Sequence, residues 1–201
     1  MESAKLKHLP NILTFSNMAI GILIIFLMLK DNSLAAVKLS CYLIFVAIIF
    51  DMFDGYLARY LNATSKIGKQ LDSFSDFVSF GIAPVIIFIT KLDSLLWYIT
   101  IILLIYPLAG AFRLARYNLQ ESCKDFIGLP ITAAGFIMTT ILLINSYLYD
   151  EFTKGFVIFY LLITIVLSIM MVSRFHVSRI LKIKDAYDTN SNITDITNLQ
   201  S

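Results

Sequence analysis

Six long apolar runs separated by short polar stretches set the pattern of this chain. They predict helical spans near residues 11–29, 34–60, 68–90, 95–117, 130–149 and 155–174. The first run, Ile12 to Leu29, is longer than a signal-peptide core and has no small-residue cleavage site after it, so it reads as a span. Residues 1–9 are polar and basic, with Lys5, Lys7 and His8, and read as an interfacial segment. The expected fold class is therefore an all-α membrane protein of six transmembrane helices with an N-terminal interfacial segment. One membrane domain over residues 1–184 is expected, followed by a disordered tail over 185–201 rich in Asp, Asn and Thr.

Composition agrees. Hydrophobic residues make up 58% of the 201 residues, and the mean hydropathy is +0.79, far above that of a soluble domain. The net charge of +2 says little, but the placement of the cations says more. Lys5, Lys7, Arg59, Lys66, Lys69, Arg113, Arg116, Lys124, Arg174, Arg179, Lys182 and Lys184 fall on one set of loops and ends. Lys30, Lys91 and Lys154 fall on the other, with Lys38 just inside the second span. The positive-inside rule then puts both termini in the cytoplasm of a multi-pass cell-membrane protein. Cys41 and Cys123 have no metal-like spacing, and His8 and His176 are isolated beside apolar runs. No nucleic-acid partner is expected.

The chemistry lies where the second and third spans meet. The stretch reads Asp51-Met-Phe-Asp54-Gly55-Tyr-Leu-Ala58-Arg59, eight further residues, then Gly68-Lys-Gln-Leu-Asp72-Ser-Phe-Ser-Asp76. Charges at membrane depth cost a few kcal/mol each or more and mark functional sites. On a helix Asp51, Asp54, Gly55, Ala58 and Arg59 share one face, and so do Gly68, Asp72 and Asp76. Bringing the two faces together makes one acidic pocket. Its ligands are oxygen only, which suits Mg²⁺ or Mn²⁺ rather than Zn²⁺. Two such ions are a common device for phosphoryl transfer. Gly55 and Ala58 leave a bare helix surface for a flat group, and Arg59 sets a cation beside it for phosphate. Salt bridges from these acids to Arg59, Lys66 and Lys69 are the purely structural reading, and they explain neither the small residues nor the shared face.

The pattern Asp-x2-Asp-Gly-x2-Ala-Arg-x8-Gly-x3-Asp-x3-Asp resembles the signature of the CDP-alcohol phosphatidyltransferases and matches it at every fixed position. Leu9-Pro-Asn-Ile-Leu-Thr14, Ser79-Phe-Gly-Ile-Ala-Pro84, Arg113-Leu-Ala-Arg-Tyr-Asn118 and Gly128-Leu-Pro-Ile-Thr-Ala-Ala-Gly135 look like the serine-transferring branch of that family. The resemblance implies transfer of a phosphatidyl or archaetidyl group from CDP-diacylglycerol or CDP-archaeol to L-serine, with release of CMP. It implies that Asp51, Asp54, Asp72 and Asp76 hold two divalent cations and that Asp76 is the general base. Asp54, Gly55, Ala58, Arg59, Ser65, Lys66 and Gly68 would contact the CDP-lipid, and a homodimer is expected. For Asn62–Ile67, between the halves of the signature, a plain capping turn and a phosphate- or ribose-binding loop fit equally well.

Arg113 and Arg116 stand three apart at the end of the fourth span. They fit either an anchor at a helix end or a clamp for the carboxylate of serine, with Asn118 nearby. Sister enzymes that use glycerol-3-phosphate or inositol phosphate would favour a denser basic cluster than this pair. A divalent-cation transporter would spread its acids over repeated halves.

Overall fold

The computed structural model describes residues 9–92, 94–119, 126–173 and 176–177. The expected interfacial segment (all of it but Leu9) and the expected tail at 185–201 lie outside the described residues. So do His8, Cys123 and the cations at 5, 7, 124, 174, 179, 182 and 184.

Helix α1 spans Leu9–Lys30 and α2 spans Leu34–Tyr60. The third span begins as α3 (Lys66–Asp76), passes through a π-helical segment (Phe77–Ile82) and ends as α4 (Ala83–Ile89). Helices α5 (Trp97–Leu119), α6 (Ile131–Leu148) and α7 (Lys154–Val172) complete the set. Among the described residues six helical stretches are long and apolar enough to cross a membrane, so the expected all-α, six-span architecture holds. Among the described residues the strand structure is a two-residue antiparallel pair, β1 (Phe126–Ile127) with β2 (His176–Val177).

Local chemistry starts several of these helices. Ser33, Ser65 and Thr153 are N-caps, their hydroxyls accepting from the N–H groups of Ala36, Gly68 and Phe156 at 3.2, 2.9 and 3.3 Å. Pro130 precedes α6 where its missing N–H costs nothing. The outer surface stays apolar, with Phe26, Leu29 and Ile169 each more than 60% exposed, as contact with lipid requires.

The π segment departs from the plain third helix that the apolar pattern predicts. The N–H of Ala83 bonds back to the carbonyl of Val78, one residue further than in an α-helix. Neighbours press on it closely. A Cβ on Gly21 of α1 would stand 2.6 Å from Ser79 Oγ, and one on Gly135 of α6 would stand 2.8 Å from Phe80 Cβ. Glycine at these two positions lets both helices approach the segment at backbone distance. Ser75 and Ser79 fasten the third span to α1 by donating to the carbonyls of Thr14 (3.1 Å) and Asn17 (3.0 Å). Asp76 is the last α-helical residue before the widened turn, held between these two attachments.

Candidate functional site

The ends of α1, α2, α3 and α5 meet at one end of the bundle. Leu61 and Asn62 close α2, with Asn62 in the left-handed region (φ 49°) and the Ala63 N–H bonded to the Ala58 carbonyl at 2.9 Å. Ser65 then caps α3. The connector is thus a capping turn by its geometry. Because the Ser65 hydroxyl accepts from Gly68, its own proton is left to donate elsewhere.

The sharp reversal brings the two halves of the signature together. One oxygen each from Asp51, Asp72 and Asp76 lies within 4.8 Å of the others. Asp54 stands beside this trio rather than within it. It is 4% exposed, and the Thr14 hydroxyl donates to its Oδ2 at 2.8 Å. Among the described residues no salt bridge to Arg59, Lys66 or Lys69 neutralises the four carboxylates. Asp76 Oδ1 is buried with no hydrogen-bond partner. An unpaired buried carboxylate oxygen is costly unless a cation meets it. The donors are all hard oxygens, so the residues present fit a divalent ion of the Mg²⁺ type.

A cleft of about 440 Å³ opens beside the carboxylates. Asp54, Gly55, Ala58, Arg59, Ser65, Lys66, Gly68 and Asp72 all line it, so the positions expected to contact a nucleotide fall around one space. The guanidinium of Arg59 folds back along the helix, 3.7 Å from where a Cβ on Gly55 would be. Pro10, Asn11 and Thr14 of α1 and Tyr117 of α5 close the walls. The Leu9–Thr14 motif thus lends the cleft Pro10, Asn11 and Thr14, side chains to which the sequence alone assigns no role. The signal was there in Thr14, a hydroxyl on the buried stripe of α1.

The structure separates the two arginines. Arg113 is 9% exposed, its Nε has no partner, and it feels the charge of Asp76. Arg116, one turn on, donates to the carbonyls of Val172 (2.9 Å) and Met171 (3.3 Å) at the end of α7. Asn118 Nδ2 donates to Ser73 Oγ at 2.9 Å, and Lys69 Nζ reaches the Tyr117 carbonyl at 3.4 Å. These contacts hold the end of α5 against α3.

A family model described as CDP-alcohol phosphatidyltransferase matches residues 7–181. The chain belongs to the CDP-alcohol phosphatidyltransferase family. Members of this family generally depend on a divalent metal, and a cluster of Asp residues, Asp51, Asp72 and Asp76, is present in this chain. The chain is 43% identical over 122 residues to a CDP-diacylglycerol–serine O-phosphatidyltransferase of Methanocaldococcus jannaschii, covering 60% of this chain and 59% of that one. It is 36% identical over 147 residues to the Bacillus subtilis protein of the same name, covering 72% and 78%. With the archaetidylserine synthase of Methanothermobacter thermautotrophicus the identity is 33% over 178 residues, covering 86% and 70%. The match thus spans about three-fifths of the Methanocaldococcus protein and at least 70% of the other two.

Proposed function

We propose that this chain transfers a phosphatidyl or archaetidyl group from CDP-diacylglycerol or CDP-archaeol to the hydroxyl of L-serine and releases CMP. The observation that carries the reading is the convergence of Asp51, Asp72 and Asp76 beside a cleft walled by Gly55, Ala58 and Arg59. The serine acceptor is supported by the names of the relatives and by the buried Arg113 near Asp76.

The four aspartates would hold two ions, Mg²⁺ or Mn²⁺, which when bound neutralise the pyrophosphate and the departing CMP. The protein's own groups do the rest. Gly55 and Ala58 offer the bare surface on which the cytidine rests. Arg59, Lys66, the Ser65 hydroxyl and the N-terminal turn of α3 at Gly68 meet the phosphates. Arg113 grips the carboxylate of serine. Asn118 and Arg116 fix the end of α5 that carries it.

Asp76 accepts the hydroxyl proton of serine as that oxygen attacks the lipid-side phosphorus. The bond from this phosphorus to the CMP oxygen breaks, and the electron pair leaves with CMP. The distribution of Lys and Arg supports a cytoplasmic site and cytoplasmic termini in the cell membrane. A homodimer follows from the family resemblance.

Purified protein in nanodiscs, given a CDP-lipid and separately serine, glycerol-3-phosphate and inositol phosphate, tests the reading by CMP release. Serine alone should support turnover. Turnover with glycerol-3-phosphate at the serine rate overturns the acceptor assignment.

A further inference from the structure

The buried stripe of α1 runs through Pro10, Thr14, Asn17, Gly21, Ile24 and Met28. Asn17 is anomalous among them. Its side chain is 0% exposed, yet neither Nδ2 nor Oδ1 has a hydrogen-bond partner. The attachment of α1 to the π segment uses the main-chain carbonyl of Asn17, which accepts from Ser79, and leaves the carboxamide unused. Burying an unpaired carboxamide is unfavourable, so its presence here points to a partner that the folded chain does not supply.

Register places it. Helices α1 and α2 are joined by a short turn and run antiparallel, with Thr14 meeting Asp54. Three residues deeper along α1 is therefore level with three residues back along α2, which puts Asn17 level with Asp51. On the third span Ser75 reaches the Thr14 carbonyl and Ser79 the Asn17 carbonyl, and Asp76 stands between those rungs. Asn17 thus lies at the floor of the acidic cluster. The cleft that would take the nucleotide is lined on α1 by Pro10, Asn11 and Thr14, all nearer its cytoplasmic end.

In-line displacement at phosphorus brings the entering oxygen in opposite the leaving one. If CMP departs into the cleft, the acceptor enters on the deep side. Asp76 Oδ1, Arg113 Nε and both polar atoms of Asn17 are buried and unpartnered. We propose that Asn17 is a specificity-determining residue of the acceptor subsite, its carboxamide receiving the polar groups of the acceptor. This rests on the serine reading above. Oδ1 accepts from the ammonium group, Nδ2 donates to a carboxylate oxygen, and Arg113 holds the rest of the carboxylate. An amide offers a donor and an acceptor together without adding charge to the cluster.

The test uses the full chain in nanodiscs with Asn17→Leu, close to Asn in size, and Asn17→Ala. Thermal unfolding, CDP-lipid affinity, serine KM and the rise in Tm on adding serine are measured. Asn17→Leu should unfold no lower than the parent, since it removes an unpaired buried amide. Both variants should keep CDP-lipid affinity within about twofold, raise serine KM about tenfold or more, and lose the serine-induced rise in Tm. An unchanged serine KM in either variant overturns the proposal, and so does loss of the fold in both. If the parent uses another alcohol and not serine, the serine reading fails by itself. The Asn17 assignment then stands or falls on whether that alcohol's KM rises in both variants.

Discussion

The hydroxyl of Tyr106 donates to the main-chain carbonyl of Phe80 at 3.0 Å, inside the π segment and out of reach of solvent. Pro84 stands four residues after Phe80 and has no N–H to give that carbonyl. The tyrosine of α5 gives that carbonyl a side-chain donor and ties α5 to the widened turn that follows Asp76. Tyr106→Phe keeps the ring and removes the donor. The protein should lose about 1–3 kcal/mol of stability, the cost of an unsatisfied buried carbonyl. Unfolding in detergent at increasing denaturant checks this, and an unchanged midpoint would show that the carbonyl finds another donor.

Chelation addresses the carboxylate trio directly. Excess EDTA should abolish CMP release, and added Mg²⁺ or Mn²⁺ should restore it. Full turnover in the chelator would leave the convergence of Asp51, Asp72 and Asp76 without its proposed purpose.

Thr14 orients Asp54 through a charge-assisted hydrogen bond. Such bonds contribute about 1.5–3 kcal/mol. Thr14→Val should therefore raise the Mg²⁺ concentration for half-maximal activity by roughly tenfold or more, while Thr14→Ser should stay near the parent. Coincident Mg²⁺ titrations for Val and parent would remove Thr14 from the site.

Asp76→Asn retains the size of the side chain and loses its basicity. Transfer should fall by about two orders of magnitude or more, the scale of general-base catalysis, with CDP-lipid binding kept. Single-turnover CMP release together with a binding measurement separates the two effects; near-normal turnover would take the base role away from Asp76.

The two arginines of α5 should behave differently. Arg113→Ala should raise serine KM by about tenfold, near 1.4 kcal/mol, and leave CDP-lipid affinity unchanged. Arg116→Ala breaks the bonds to Val172 and Met171, so it should lower Tm and leave serine KM alone. The reverse pattern would return the carboxylate grip to Arg116.

The sequence by itself determined the six spans, because apolar run length is a local property that the membrane reads residue by residue. It also determined which side chains share a face of each signature helix, because that follows from helical periodicity within a few turns. The tertiary structure alone decided the rest. Asp54 stands apart from the trio because Thr14, forty residues earlier in the chain, holds its oxygen. Arg113 and Arg116 share a face in sequence, but packing buries one near Asp76 and spends the other on the last carbonyls of α7. The π turn after Asp76 has no periodicity that announces it, since Gly21, Gly135 and Tyr106 press on it from three other helices. Contacts between residues far apart in sequence carry no local signal, and those contacts fix the shape of the pocket floor.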